Sequence, residues 1–277
     1  MILIEQKWTP AMTTNQITSS DLSNDLPEVY CVIPHYGEDQ LLQHCLDSLG
    51  KIDYPTNLFN PDHIVVINNN PPNTNLLFTA GVNAGIRKVL RQRLEKRRAN
   101  HFLIWVLNND TTVESASINA AARCFMEMGW DQTGAVGSCN LLMANPDVIT
   151  WGGSKECFPA GNHKTGLKSK GDLDMRTEEE WLTFASVFLN IDAIESIGLL
   201  DRNMRHICSD SDYCFRLRAQ GWHCYYEPSS VVLHAVGTSN RNASMELMSI
   251  MRKDAEYFQN KWVRPGLFNN LTKYKLK

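Results

Sequence analysis

Three acidic positions and one histidine stand where chemistry could be done. Asp110 follows Asn108 and Asn109 directly after the apolar run Phe102–Leu107, and Thr111 comes next. A run of that kind is what a central parallel strand looks like when helices cover both of its faces. Ligands of such sheets gather at the carboxyl ends of the strands. An acid placed there suits a divalent cation that prefers hard oxygen ligands. The same triplet also fits a plain turn, because Asn and Asp favour turns for local reasons. A hundred residues on, Asp210 and Asp212 flank Ser211 and precede the helical stretch Tyr213–Gly221. One acid there would serve as an ordinary helix cap, but two acids exceed what a cap needs. His234 closes the apolar stretch Val231–Leu233, a position more often filled by a core histidine than by a ligand.

These groups need a frame to hold them. Val29–Ile33 reads as a buried strand stopped by Pro34, and Glu38–Leu49 carries a helical stripe of Leu41, Leu42, Cys45, Leu46 and Leu49. His63–Ile67 reads as a second strand, followed by the loop Asn68–Pro72. A helix is expected from Phe78 to Arg98, with Arg87, Lys88, Arg91, Arg93, Lys96, Arg97 and Arg98 forming a solvated basic face. Strands alternating with helices imply right-handed crossovers and a parallel sheet. Short strands follow at Gly134–Cys139, Val148–Trp151, Val187–Leu189, Cys224–Tyr226 and Val231–Leu233, and a closing helix at Ser244–Lys261. Residues 1–27 read as a polar extension. The polar segment 152–180, with its glycines and lysines, reads as a long binding loop.

Bulk properties exclude several classes. Hydrophobic content of 43% and charged content of 21% are ordinary for a globular domain, and the net charge of −3 lacks the basic excess of a nucleic-acid binder. No stretch reaches the about 18 to 20 apolar residues that cross a bilayer. Met1–Glu5 has no basic lead or long apolar core, so no secretory signal is expected. The cysteines at 31, 45, 124, 139, 157, 208, 214 and 224 form no Cys-x-x-Cys pair, and free thiols in a reducing cytoplasm are expected. Asn242 and Asn270 match glycosylation acceptors by chance on that reading. Neither Gly-x-Gly-x-x-Gly nor a Walker-type loop follows the first strand. The basic end (Lys261, Arg264, Lys273, Lys275, Lys277) reads as a solvated tail, with attraction to an anionic membrane face as the alternative.

Taken in order, the fragments resemble inverting glycosyltransferases of family 2, with the GT-A fold, and most closely their rhamnosyltransferase-like branch. Val32–Tyr36 is similar to the opening strand and its Pro-x-Tyr end, and Ile64–Asn69 to the second strand. Asn75–Ile86 resembles the family's Asn-x-Gly-Phe…Asn-x-Gly-Ile segment, and Leu107–Thr111 a variant of its metal-binding Asp-x-Asp. Gly198–Asp201, Asp210–Arg216, Gly221–Trp222 and His234 with Gly237–Ser239 follow its later motifs in order and spacing. Departures are Ser209 in place of Glu, Asn68 in place of Asp, Leu77 in place of Gly and Phe184 in place of Gly.

The resemblance implies an α/β chain with a doubly wound, mostly parallel central sheet. Residues 28–112 would form a nucleotide-sugar-binding half, 113–240 an acceptor and catalytic half, and 241–277 a C-terminal helix with a basic tail. It implies transfer of a sugar from a UDP- or dTDP-linked donor to an acceptor hydroxyl, in glycan or polysaccharide biosynthesis. Asp210 is implied as the catalytic base, and Asp110 with His234 as ligands of Mn²⁺ or Mg²⁺. Pro34, Tyr36, Glu38, Asn68, Asn83, Asn108 and Asn109 are implied for the nucleotide sugar, and Trp151 and Gly153 for a glycan, lipid-linked or protein acceptor. A cytoplasmic enzyme, in reach of the inner membrane face, fits this set. The alternative is a nucleotide-sugar-binding relative with little or no transfer activity. A sugar-phosphate nucleotidylyltransferase would need a Gly-rich basic loop after the first strand, and Gly37–Gln40 does not supply one.

Overall fold

The computed structural model describes residues 26–95, 101–154, 163–236 and 244–276. The expectations for residues 1–25, Lys96, Arg97, Arg98, Cys157, Gly237–Ser239, Asn242 and Lys277 lie outside the described residues. The first half runs β1 (Glu28–His35), α1 (Asp39–Leu49), β2 (Ile64–Asn68), α2 (Leu77–Glu95), β3 (Phe102–Leu107), β4 (Thr111–Val113) and α3 (Ser117–Met128). The second runs β5 (Thr133–Leu142), β6 (Asn145–Trp151), β7 (Gly166–Leu167), β8 (Thr177–Glu178), β9 (Ser186–Asn190), α4 (Ile191–Ile197), α5 (Ser209–Ala219), β10 (His223–His234) and α6 (Met245–Phe258).

The main sheet has the order β2-β1-β3-β9-β5-β10-β4. β2, β1 and β3 are parallel, as are β5 and β10; β9 lies antiparallel between β3 and β5. Side-chain alternation sends each strand to two cores. Val29, Cys31 and Ile33 join Leu103, Trp105 and Leu107 on the face covered by α1 and α3. Tyr30 and Val32 join Ile104 and Val106 on the other face, under α2 and α5. This two-sided burial is why both strands read as unbroken apolar runs. Gly85 lets α2 settle onto β1, since a Cβ there would lie 2.2 Å from Val32 Cγ1.

Four expectations change. Arg93 does not belong to a solvated basic face: it is buried, ion-paired with Glu28, and its guanidinium lies 3.8 Å from the Phe102 ring centre. Such a pair holds together because Glu28 also receives Tyr30 Oη (2.9 Å) and sits 3.2 Å from His63 Nε2. The two expected strands around residue 228 are one, β10, whose register on β5 shifts between Glu227 and Val231. Pro228 falls inside that irregularity, where a missing N–H costs no ladder bond. The described parts of 152–180 are not structureless, because β7 and β8 extend the sheet and Ser154 bridges to His163. Finally, Lys261 is not part of a solvated tail. Phe258 and Trp262 are wholly buried, and Lys261 pairs with Asp201 and Asp212.

Candidate active site

At the carboxyl ends of β1, β2 and β3 the loops diverge around a cavity of about 400 Å³. β1 contributes Pro34 and Tyr36, the end of β2 contributes Asn69, and the end of β3 contributes Asn108, Asn109 and Asp110. Because β9 runs antiparallel, the residues that enter it, Thr183–Ala185, arrive at the same edge. The first turn of α5 closes the cavity with Ser209 and Asp210. Asp110 and Asp210 therefore line one space although a hundred residues separate them.

Asp110 is nearly buried and held by its neighbours. Ala235 N–H donates to its carbonyl (3.0 Å), and its Oδ1 lies 3.2 Å from His234 Nε2. The register that pairs His234 with Thr111 sets that approach. His234 thus faces Asp110 without itself lining the cavity. Asn108 N–H donates to Ala185 O (2.9 Å), Thr111 Oγ1 donates to Asn108 O (2.7 Å), and Asn109 Nδ2 reaches Tyr36 O (3.4 Å). Among the described residues, no group of three or more His, Cys, Asp or Glu converges to hold a metal. One carboxylate and one imidazole still suit a divalent cation of the Mg²⁺ or Mn²⁺ class when other oxygens complete its shell, as substrate phosphates do.

Asp210 lies in the first turn of α5, where the helix dipole favours an anion. Burial nevertheless dominates and pushes its carboxyl from 3.8 up to about 6, against the lowering effect of the Ser211, Asp210 and Phe184 backbone N–H groups. The Ser211 contact measures 2.8 Å. A carboxylate poised near neutrality on a cavity wall is suited to proton transfer. Ser209 adds no charge beside it; its hydroxyl accepts from Thr79 Oγ1 at 2.9 Å, tying α5 to α2.

The neighbour Asp212 points away from the cavity. Its wholly buried carboxylate accepts from Arg216 Nε (2.9 Å), Trp262 Nε1 (2.8 Å) and Lys261 Nζ (2.7 Å). Arg216 continues to the carbonyls of Ile197 and Leu199. Asp254 on α6 accepts the N–H groups of His206 and Ile207 (2.7 and 3.0 Å), which fixes the loop leading into α5. Two lining residues, Leu77 and Cys208, hold left-handed backbone with φ of 60° and 66°. Such conformations cost non-glycine residues about 1 kcal/mol or more and gather at functional sites.

Five residues expected at the site do not line this cavity. Glu38 is exposed ahead of α1, away from the cavity lining, and makes no side-chain cap. Asn68 is exposed and its amide oxygen serves Asn70 N–H (2.9 Å); the next residue, Asn69, lines the cavity. Asn83 is wholly buried and spends both amide atoms on the backbone of Leu200 (2.9 and 3.0 Å). Trp151 is a core residue, edge-on to Tyr226 with ring centres 5.9 Å apart. Gly153 is buried under Glu179, whose carboxylate would lie 2.6 Å from a Cβ at φ 120°. Lining residues that were not anticipated include Trp181, His206 and Leu247. No local pattern marks them, because each belongs to a loop or helix brought in by distant contacts.

The family model described as Glycosyltransferase like family 2 matches residues 27–250. No curated protein matches the chain. Among solved structures, GalNAc-T7 with UDP, GalNAc and Mn²⁺ is 12% identical, over 88% of this chain and 52% of that one, with a TM-score of 0.56. This chain thus spans about half the length of that relative, and at such identity the likeness shows the GT-A fold alone. The mannosyltransferase PcManGT from Pyrobaculum calidifontis, in complex with GDP-Man and Mn²⁺, is 14% identical over 89% of this chain and 68% of its own, with a TM-score of 0.49.

Proposed function

The chain belongs to the glycosyltransferase-like family 2, and from that premise we propose an inverting, metal-dependent transfer of a sugar from a nucleotide diphosphate sugar to an acceptor hydroxyl. The observation that carries this reading is the meeting of Asp110 and Asp210 in one cavity. Asp210 would accept the proton of the attacking hydroxyl at a carboxylate oxygen, so it must be ionised when the acceptor binds. Direct attack opposite the leaving diphosphate inverts the sugar carbon. Asp110 and His234 would hold a divalent cation, which when bound supplies Lewis-acid stabilisation of the leaving diphosphate. Pro34, Tyr36, Asn69, Asn108 and Asn109 would shape the pocket for nucleoside and phosphate.

Residues 28–112 would then serve the donor and 113–240 the acceptor and its base. The donor would be UDP- or dTDP-linked and the cation Mn²⁺ or Mg²⁺, the classes that the one carboxylate and one imidazole suit with phosphate oxygens completing the shell. A biosynthetic role in glycans or polysaccharides follows from the reaction class. Among the described residues no helix is long and apolar enough to cross a membrane. The seven cysteines among the described residues are buried and free, which supports a reducing, cytoplasmic setting. The acceptor would meet the residues beside Asp210 that line the cavity, among them Phe184 and Cys208, rather than the buried Trp151 and Gly153.

The test is release of nucleoside diphosphate from UDP- and dTDP-sugars with Mn²⁺ or Mg²⁺ across an acceptor panel. Metal-dependent release that Asp210→Asn abolishes, while the donor still binds, supports the reading. Donor binding without transfer to any acceptor would leave a binding relative instead.

A further inference from the structure

A second cleft, of about 600 Å³, opens at the far end of α5 from Asp210. Its walls include Glu178 and Glu180 from the segment around β8, Arg218 at the end of α5, Trp222 after it, and Phe268 and Asn270 from the C-terminal turns. α5 has 11 residues, so at about 1.5 Å per residue the two spaces lie roughly 16 Å apart along it. The chain from Glu178 to Ala185 likewise passes from the second cleft to the first. Nothing in the transfer reaction uses this cleft.

The chemistry of its walls narrows the ligand. Two carboxylates against the Arg218 guanidinium, with the His223 imidazole already taken up by Glu178, disfavour phosphates and other anions. A metal ion is not favoured either, because Glu178 is engaged by His223 (Oε1–Nδ1 2.8 Å) and no group of three ligating side chains forms among the described residues. A purely apolar ligand would strand the charged heads. A sugar chain presents hydroxyls, which both donate and accept hydrogen bonds, at its rim and C–H surfaces on its faces. The former suit Glu180, Arg218 and Asn270, and the latter suit Trp222 and Phe268. One observation points to a missing donor: Glu180 Oε2 is buried without a hydrogen-bond partner among the described residues. A buried acceptor left unsatisfied is costly, and a turn of the Glu180 side chain toward the cleft it lines would let a sugar hydroxyl relieve it.

We propose that this cleft is a second carbohydrate site, which holds a neutral oligosaccharide acceptor by a portion remote from the reacting sugar. It rests on the proposal that the acceptor is a glycan. Holding one chain at two places raises its effective concentration at the first cavity. Long acceptors should therefore be used at lower concentration than short ones, with little change in kcat.

The experiment measures calorimetric binding of short linear neutral oligosaccharides, built from glucose, mannose or N-acetylglucosamine, to the full chain without donor. The same preparation is assayed for nucleoside diphosphate release. Saturable binding is expected, weakened about tenfold by Glu180→Gln or by Arg218→Ala, with release from a UDP-sugar and a short acceptor unchanged in both variants. UDP with Mn²⁺ should not compete. Absence of binding across the panel, competition by UDP, or indifference to both substitutions would overturn the second site. Preferential binding of a lysine-rich peptide would also overturn it. If oligosaccharides fail to bind while release persists, the second site falls alone. If release is absent with every donor, the transfer reading falls instead.

Discussion

Replacing Asp210 by Asn should make the protein more stable and inactive at once. Burial raises the carboxyl from 3.8 to about 6, and at about 1.36 kcal/mol per pH unit this opposes ionisation by about 3 kcal/mol. A carboxyl whose proton is held more tightly in the folded state contributes stability that is full below pH 3.8 and lost as pH rises through about 6. Wild-type protein at pH 8 therefore carries the whole cost, whereas at pH 4 most of it is absent. The amide of the Asp210→Asn variant does not titrate and escapes it. Part of the gain is offset, because the amide NH₂ faces one of the backbone donors that now serve the carboxylate, at about 1 kcal/mol. A net gain of about 2 kcal/mol is expected at pH 8. That corresponds to roughly 4 to 8 °C in Tm for a chain of this size. Urea denaturation of both proteins at pH 4 and pH 8 is the assay, with transfer measured alongside. The reasoning is refuted if the variant is less stable than wild type at pH 8, or if the difference between them does not change with pH.

The same carboxyl sets a pH dependence: kcat/KM should fall about tenfold per pH unit below about 6, as Asp210 takes up its proton, and a flat profile between pH 4 and 6 would exclude it as the base. His234→Ala should raise the Mn²⁺ concentration needed for half-maximal activity by roughly tenfold or more, read from metal titrations at saturating donor; an unchanged titration would remove His234 from the metal set. Lys261→Met leaves the buried Asp212 with Arg216 and Trp262 as its side-chain partners among the described residues, so it should cost about 3 kcal/mol in urea unfolding; a change within about 0.5 kcal/mol would show that the ion pair is dispensable. Asp254→Ala removes the acceptor of the His206 and Ile207 N–H groups, and kcat should drop with little change in donor affinity.

Much of this protein follows from periodicity and punctuation. The apolar runs at Val29–Ile33 and Phe102–Leu107 can be buried only between two helical layers, and that marks a parallel sheet with its ligand edge at the residues that end each run. Asp110 was legible for that reason, and Asp210 because a polar cluster opens a helix. What alternation does not reveal is which neighbour a side chain meets. Asn68 and Asn69 differ by one step along the chain, and only the turn after β2 decides that Asn69 faces the cavity. Asn83 lies on a helix whose register against Leu200 turns its amide inward, and Trp151 fills a hollow above Gly137. The raised carboxyl of Asp210 is likewise a tertiary property, since desolvation depends on everything packed around it. Asp254, Lys261 and Trp262 carry no local sign that they hold the catalytic helix and its entry loop. Their contacts span roughly fifty residues, and only the folded core brings such partners within hydrogen-bond reach.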